Sequence, residues 1–466
     1  MLTYSLDKKG SKPIYEFLYE CIKNDILCGN LTAGEKLPSK RSFADNLGIS
    51  VITVENTYFQ LVAEGFIYSQ PQKGFFVADI KNTAMYKKNS PAEKYVAPKT
   101  SGHKKYDVNF ASNQTDKKSF PFSIWARLMR EVLTQRQNDL MKNPPAGGIP
   151  ELREAIAVHL KEFRGMKVSP QQIIIGAGTE YLYGLLIQLL GFDKHYGVEN
   201  PGYNKIVKVY ESYNVKCNFI NMDKSGVRID ELENTSTDII HICPSHHFPT
   251  GIVMPVSRRY ELLGWASSSE FRYIIEDDYD SEFRFSGRPI PTLQSIDVSG
   301  KVIYMNTFTK TLTSTIRISY MVLPGNLVSL FHKKLGFYSC TVPTFEQFTL
   351  AAFIRGGYFE KHINRMRKLY LTKRNLIINA LQNNNYADKT EILEEDSGLH
   401  FLMRLHSDIC NENLLERLEN NGIKIMPLSA YYKNPPGEAE RYFVINYTSV
   451  EQEKIVSAIE RIFECI

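Results

Sequence analysis

The sequence predicts an α/β protein in two modules: a large one built on a largely parallel sheet and, ahead of it, a small one of helices closed by a hairpin. Three observations predict this. Between residues 170 and 325 short β-branched runs alternate with helical stretches, the pattern of an α/β sandwich. Between Pro13 and Val77, apolar residues at helical spacing are punctuated by Gly29, Gly48 and Gly65 and followed by short aromatic runs. Between the modules, residues 81–105 carry seven lysines against one acid, Glu93, with two prolines and few large aliphatics. That is the composition of a solvated linker, either a featureless tether or one whose lysines add salt-sensitive affinity for a polyanion without specificity. The expected boundaries are 1–80, 81–105 and 106–466, the last with a large part over about 140–330 and a C-terminal part over about 331–466.

The 466 residues allow two to four domains, and 43% hydrophobic with 23% charged residues excludes wholesale disorder. The longest apolar candidate, Tyr183 to Phe192, contains Gln188 and falls short of the ~20 residues a spanning helix needs, so no membrane role is expected. The first residues lack an apolar secretory core. Cys21, Cys28, Cys217, Cys243, Cys340, Cys410 and Cys465 are scattered and never spaced as C-x-x-C. This excludes a disulfide scaffold and a zinc ribbon, and fits reduced thiols in the cytoplasm.

In the small module Ile14, Leu18, Cys21, Ile22 and Ile26 mark a helix that Gly29-Asn30 stops. Ser39 caps a short helix over Lys40 to Leu47, which Gly48 ends; Ser50 caps the next, from Val51 to about Glu64, with Val54, Tyr58, Leu61 and Val62 inward. Helix, tight turn, helix is the helix-turn-helix arrangement, its second helix suited to a major groove. Gly65 to Tyr68 and Gly74 to Val77 then read as a hairpin around Ser69 to Lys73.

The string LPSKRSFADNLGISVITVENTYFQLVAEGFIYSQPQKGFFV resembles the winged helix-turn-helix of the GntR family of bacterial transcription regulators, over nearly all of residues 11–78. The resemblance implies binding to a double-stranded DNA operator through Arg41, Ser50, Thr53 and the wing tip Lys73-Gly74. Arg41 suits phosphate or guanine, and hydroxyls at a helix start suit phosphate. Where family members commonly place Arg after the Ser of the second turn, this chain has Val51.

Four motifs in the large module follow or precede predicted strands, where ligands of such sheets bind. Gly176-Ala177-Gly178-Thr179-Glu180 opens a helix and suits an anion. Tyr273 to Arg284 runs a strand into three consecutive acids, the first liable to desolvation. Thr307-Phe308-Thr309-Lys310-Thr311 places a lysine after a strand, either a surface residue or a buried amine able to form a Schiff base. Arg317 precedes another strand and suits a phosphate dianion. Cradle, acid, lysine and arginine are together the set that pyridoxal 5′-phosphate needs.

Residues 107–466 resemble the fold-type-I aminotransferases, and the two-module combination resembles the MocR/GabR subfamily of GntR regulators. The strings HICPSHHFPTGIVMP, IIEDDYDSEFRFSGRPIPTLQ, YMNTFTKTLTSTIRISYMVLP and GLHF carry that likeness. The resemblance implies Lys310 as the Schiff-base lysine, Asp277 on the pyridine nitrogen, Tyr279 at the phenolic oxygen and Tyr203 near the ring. It places Gly178, Thr179, Glu180, Thr307, Thr309 and Arg317 around the phosphate, and implies an intertwined homodimer. The fold expected is thus a winged helix-turn-helix plus an aminotransferase-like α/β/α sandwich with a smaller C-terminal α+β part.

The departures concern catalysis. The arginine with which aminotransferases hold a substrate carboxylate falls at Ser449; Arg441 lies at the strand's start and reads as a surface residue. The active-site Asn before Pro-Thr-Gly is Phe248, and the aromatic contributed across the dimer aligns with Lys142. A second ligand position, basic in the GABA-responsive member, falls on Lys205, the candidate effector contact. His246 and His247 have no partners at metal-ligand spacing, so a local structural role and no metal are expected. Glu346 to Phe359 and Lys361 to Lys373 read as interdomain or dimer helices with a solvated face.

These readings point to a regulator that senses pyridoxal phosphate or a small amine or amino-acid-like effector. The alternative is an active aminotransferase with an accessory DNA-binding domain, a half-reaction fitting better than full turnover.

Overall fold

The computed structural model describes residues 2–80, 105–112, 114–116, 119–285, 290–383, 387–396 and 398–466. The stretch expected to be a linker therefore lies, Lys105 apart, outside the described residues. The chain divides into two compact units, Met1–His103 and Lys104–Ile466.

In the first unit α1 (Ile14–Cys28) ends at Gly29, whose φ of 81° is the left-handed conformation that glycine tolerates. The second helix, α2 (Lys40–Leu47), begins where Ser39 accepts a hydrogen bond from the Ser42 amide and ends at left-handed Gly48. The third, α3 (Val51–Ala63), is capped by Ser50. The wing pairs β1 (Ile67–Gln70) with β2 (Gly74–Val77), antiparallel from Ile67↔Val77 to Gln70↔Gly74. Its first strand starts two residues later than the sequence suggested. Gly65 is left-handed and the Phe66 amide bonds back to the Leu61 carbonyl at 2.9 Å, so these two residues close the helix instead. Tyr19, Ile22, Phe43, Val54, Tyr58, Leu61 and Ile67 form the core.

In the second unit eight strands form one sheet in the spatial order Ile173–Gly176, Ser319–Val322, Val302–Thr307, Tyr273–Asp277, Ile239–Ile242, His195–Asn200, Lys216–Asp223 and Gly226–Val227. Pairing from Val302–Thr307 through Lys216–Asp223 is parallel, and Ser319–Val322 is antiparallel to both its neighbours. Strands buried on both faces need apolar runs rather than alternation, which explains Ile173-Ile174-Ile175 and the other runs legible in the sequence. A second, four-stranded antiparallel sheet contains Thr390–Leu393, His400–Leu405, Tyr442–Asn446 and Met426–Pro427. Among the described residues no helix is long and apolar enough to cross a membrane.

Two expectations are corrected. The helix predicted over 346–359 is broken: Thr344–Arg355 ends, Gly357 takes φ 68°, and a new helix runs Tyr358–Gln382. A pair of adjacent glycines, Gly356-Gly357, allows the reversal. Lys373 does not lie on a solvated face. It is 1% exposed, and its ammonium reaches Asp116 at 2.7 Å and the Thr448 carbonyl at 3.0 Å.

Candidate functional site

Strand register assembles the site. Thr307 faces Ser319 across one antiparallel pair and Ser319 faces Gly176 across the next, so three strand ends lie in one row. That row brings the Thr307-to-Lys310 segment, Arg317 and the Gly176-to-Glu180 turn together at one edge of the sheet. On the adjacent strand Asp277 pairs with Met305 and ends at the same edge. A cavity of about 530 Å³ opens there, lined by Thr179, Glu180, Tyr203, Lys205, Asp277, Tyr279, Thr307, Thr309, Lys310 and Arg317. Every predicted cofactor and effector residue thus lines it except Gly178, which caps the helix Thr179–Leu190 beside it. Ser112, Gln114, Tyr183, Ile206, Cys243 and Phe248 complete the lining.

Asp277 is buried, and its Oδ2 accepts from the Tyr183 hydroxyl at 2.7 Å. His241 Nε2 stands 3.4 Å from the same oxygen, and the Tyr210 hydroxyl lies 2.8 Å from His241 Nδ1. A donor on Nδ1 leaves the proton on Nε2, directed at the carboxylate. The other oxygen, Oδ1, has no hydrogen-bond partner among the described residues. A buried carboxylate oxygen left unpaired costs its full desolvation unless a donor arrives, so Asp277 is built to receive one more N–H.

Lys310 is half-buried in the cavity wall. Burial pulls its amine down to about 8, against the opposing charges of Asp280 and Asp277. About a tenth of the amine is then neutral at pH 7, far more than for an ordinary lysine, and the neutral form is the nucleophile. Thr307 Oγ1 caps the following turn, accepting from the Thr309 amide at 3.1 Å, and donates to Thr309 Oγ1 at 2.8 Å.

The anion end is already paired. Arg317, at a left-handed φ of 51°, donates through Nη2 to Glu180 Oε2, while Lys205 Nζ donates to Oε1 of the same carboxylate. Burial pushes the Glu180 carboxyl up, but the bonds from Lys205 and Arg317 outweigh it and hold it at about 2. A Cβ on Gly178 would stand 2.2 Å from Arg317 Nη2, so glycine is what lets the guanidinium lie against this turn.

Beneath Tyr279, His246 Nδ1 lies 2.8 Å from Asp280 Oδ2 and 3.3 Å from the Tyr279 hydroxyl, with the His400 ring 4.6 Å away. His246, Asp280 and His400 converge closely enough to hold a cation, a juxtaposition that sequence spacing did not reveal. Asp280 also accepts from the Leu399 amide and His400 Nε2 bonds the Pro249 carbonyl, so the group is tied into a prop for Tyr279. His247 Nδ1 bonds Thr250 Oγ1 at 2.7 Å. The first acid of the predicted triplet, Glu276, lies below the site, its oxygens accepting the Leu293 and Gln294 amides. Arg441, as expected, is exposed, and it donates to the Ser407 carbonyl at 2.6 Å. Lys142 is exposed and pairs with Asp139.

In the first unit Arg41 and Lys73 are exposed. Ser50 and Thr53 bond each other, Oγ to Oγ1 at 2.8 Å, while Ser50 also accepts the Thr53 amide. Gly74, at φ 109°, turns the wing tip.

Pyridoxal phosphate fits this set of groups. The unpaired Asp277 oxygen suits a pyridinium N–H, Lys310 an aldehyde, and Arg317 with the Thr179, Thr307 and Thr309 hydroxyls a phosphate.

Residues 14–77 match the family "Bacterial regulatory proteins, gntR family", and residues 105–462 match "Aminotransferase class I and II", a fold family that depends on pyridoxal phosphate. The chain is 36% identical to the HTH-type transcriptional regulator YdeL of Bacillus subtilis, over 99% of this chain and 98% of that protein. It is 31% identical to the probable rhizopine catabolism regulatory protein MocR of Rhizobium meliloti, over 97% and 94%. Among solved structures, an archaeal alanine:glyoxylate aminotransferase matches with a TM-score of 0.68 at 25% identity, over 77% of this chain and 90% of that one. A GntR head joined to an aminotransferase-like domain, found together along whole-length relatives that are regulators, places the chain in the MocR/GabR subfamily of GntR-type transcriptional regulators.

Proposed function

We propose that this regulator holds pyridoxal 5′-phosphate on Lys310 and, as a homodimer on its DNA operator in the cytoplasm, responds to a small amine or amino-acid-like effector at the same cavity. The observation that carries the proposal is the meeting, on one cavity, of a half-buried amine lowered to about 8 and the unpartnered Asp277 oxygen.

When bound, pyridoxal phosphate supplies an aldehyde carbon that amines attack and a ring that withdraws electrons from it. The chain's own residues bind and orient. Asp277 receives the ring N–H, fixed by Tyr183 and His241. Tyr279, propped by His246, is placed to hydrogen-bond a ring oxygen. Gly178, Thr179, Thr307, Thr309 and Arg317 would hold the phosphate, and Tyr203 would contact the ring. Arg41, Ser50, Thr53, Lys73 and Gly74 contact the operator.

Sensing is favoured over turnover. The cations lining the cavity among the described residues are Lys205, Lys310 and Arg317; Lys205 and Arg317 share the Glu180 carboxylate, and Arg317 is the one set against the phosphate. An amino-acid carboxylate therefore lacks the bidentate arginine fork that would orient it for repeated reaction. The effector changes DNA binding only through a difference in affinity between arrangements of the protein.

The test is binding of the cofactor-free protein to its own upstream DNA, titrated first with pyridoxal phosphate and then with amines and dipeptides. Lys310→Ala should lose the visible absorbance of bound cofactor and every ligand response while still binding DNA. A Lys310→Ala protein whose response is unchanged overturns the proposal.

A further inference from the structure

The recognition helix presents apolar side chains to solvent. Its inner face, Val54, Thr57, Tyr58 and Leu61, is buried in the head. On the opposite face Ile52 is 68% exposed and Phe59 75%, with Asn56 exposed beside them, while Val51, 39% exposed, and Glu55 lie at the border between the two faces. Two β-branched residues in a first helical turn gain nothing from helix propensity, and Ile52, about two-thirds exposed, buries little surface in the fold. In a helix-turn-helix that turn is the part whose side chains reach base edges.

The helix VITVENTYFQLVA contains no lysine or arginine, so it cannot offer the bidentate arginine pairing by which guanine is most often read. Its one acid, Glu55, is bonded to Lys40 of α2 and is thereby drawn off from cytosine. Thr53 turns its hydroxyl to Ser50 at the helix start, where it suits a phosphate, which leaves the methyl groups of Val51 and Ile52 and the amide of Asn56 for the base edges. In the major groove the partner for a methyl is the thymine C5-methyl, and for an asparagine amide the N6 and N7 of adenine. Residues 52 and 56 are one helical turn apart, about 6 Å along the axis, which spans roughly two base-pair steps.

We propose that α3 reads A·T base pairs by apolar contact: Ile52, flanked by Val51, packs on a thymine methyl, and Asn56 reads an adenine about two steps away. Arg41 and Lys73, outside this helix, bind phosphate and set affinity rather than sequence.

The test uses the full-length protein and a pool of randomised duplexes, from which bound sites are selected. Selected half-sites should carry thymine and adenine about two steps apart. Replacing that thymine with uracil, which removes only the methyl, should weaken binding about fourfold. Ile52→Ala should weaken binding to the thymine site similarly and become indifferent to uracil. Asn56→Ala should relax the adenine position, at a cost of about tenfold, and keep the uracil effect. Both side chains are exposed, so neither variant disturbs the head's core, and unchanged helical circular dichroism checks this. Selection of G·C pairs at both positions, or full tolerance of uracil at every contacted thymine by the unaltered protein, overturns the proposal.

Discussion

Arg317 is held by Glu180: its Nη2 donates to one carboxylate oxygen while Lys205 takes the other. A carboxylate therefore stands against the very cation that a phosphate dianion would use. The two anions compete, and a dianion arriving beside Glu180 meets a like charge at short range. Glu180→Gln should free both cations and raise affinity for pyridoxal phosphate and for inorganic phosphate by about tenfold at low ionic strength. Isothermal titration of the cofactor-free protein measures it, and a fall in both affinities would mean that Glu180 serves instead to orient Arg317.

Asp277 has the complementary role. One of its oxygens is occupied by Tyr183 and His241, the other by no group among the described residues. Asp277→Asn keeps the size but removes the charge that would assist a bond to a pyridinium. Loss of a charge-assisted hydrogen bond of about 1.5–3 kcal/mol should lower cofactor affinity roughly 10- to 100-fold. DNA binding by the cofactor-free variant should be unaffected, which separates this outcome from misfolding.

Much of this site was legible because its signals are local. Gly178, Thr179, Lys310 and Arg317 sit in loops directly beside strands, where residue type alone suggests chemistry. The same holds for the head, where Ser39, Gly48 and Ser50 cap the helices the sequence marked. The supports were not legible. Tyr183 lies in the middle of an apolar helix and His241 within an isoleucine-rich strand, so both read as core until folding brings them to Asp277. The sheet strands His195–Asn200 and Lys216–Asp223 are not legible in the sequence because HYGVEN and KCNFINMD lack β-branched runs. Lys373 reads as solvated because Asp116, which buries it, lies 257 residues away in sequence.

The lowered amine of Lys310 fixes a pH dependence. Its pKa of about 8 means that the ammonium dominates at pH 7, where about a tenth of the chains carry the neutral, nucleophilic form. The rate of cofactor attachment should therefore rise about tenfold for each pH unit below 8 and level off above it. Stopped-flow absorbance after mixing cofactor-free protein with pyridoxal phosphate reads this rate. A level profile between pH 6 and 8 would place the rate-limiting event elsewhere, in binding or in displacement of Glu180.

Stability should carry a second pH signature, from Glu282. This carboxyl is buried beside Asp278, which accepts hydrogen bonds from Arg164 at 2.8 Å and from the hydroxyls of Tyr304 and Ser281. Burial first, and then the Asp278 charge, push Glu282 up to about 7 from an ordinary value of 4.5. The folded protein therefore binds a proton there that the unfolded chain has released between those two values. The stability that this proton represents is fully present below about pH 4.5 and is lost as pH rises through 7. One Glu282 oxygen accepts from Asn306 at 3.3 Å and the other has no partner among the described residues, so a glutamine amide can keep the bond without the charge. Glu282→Gln should leave stability near that of the unaltered protein at pH 5. At pH 8 it should raise it, by an amount on the order of 3 kcal/mol. Urea unfolding at the two pH values measures the difference, and a variant equally stabilised or destabilised at both would show that Glu282 stays charged in the fold.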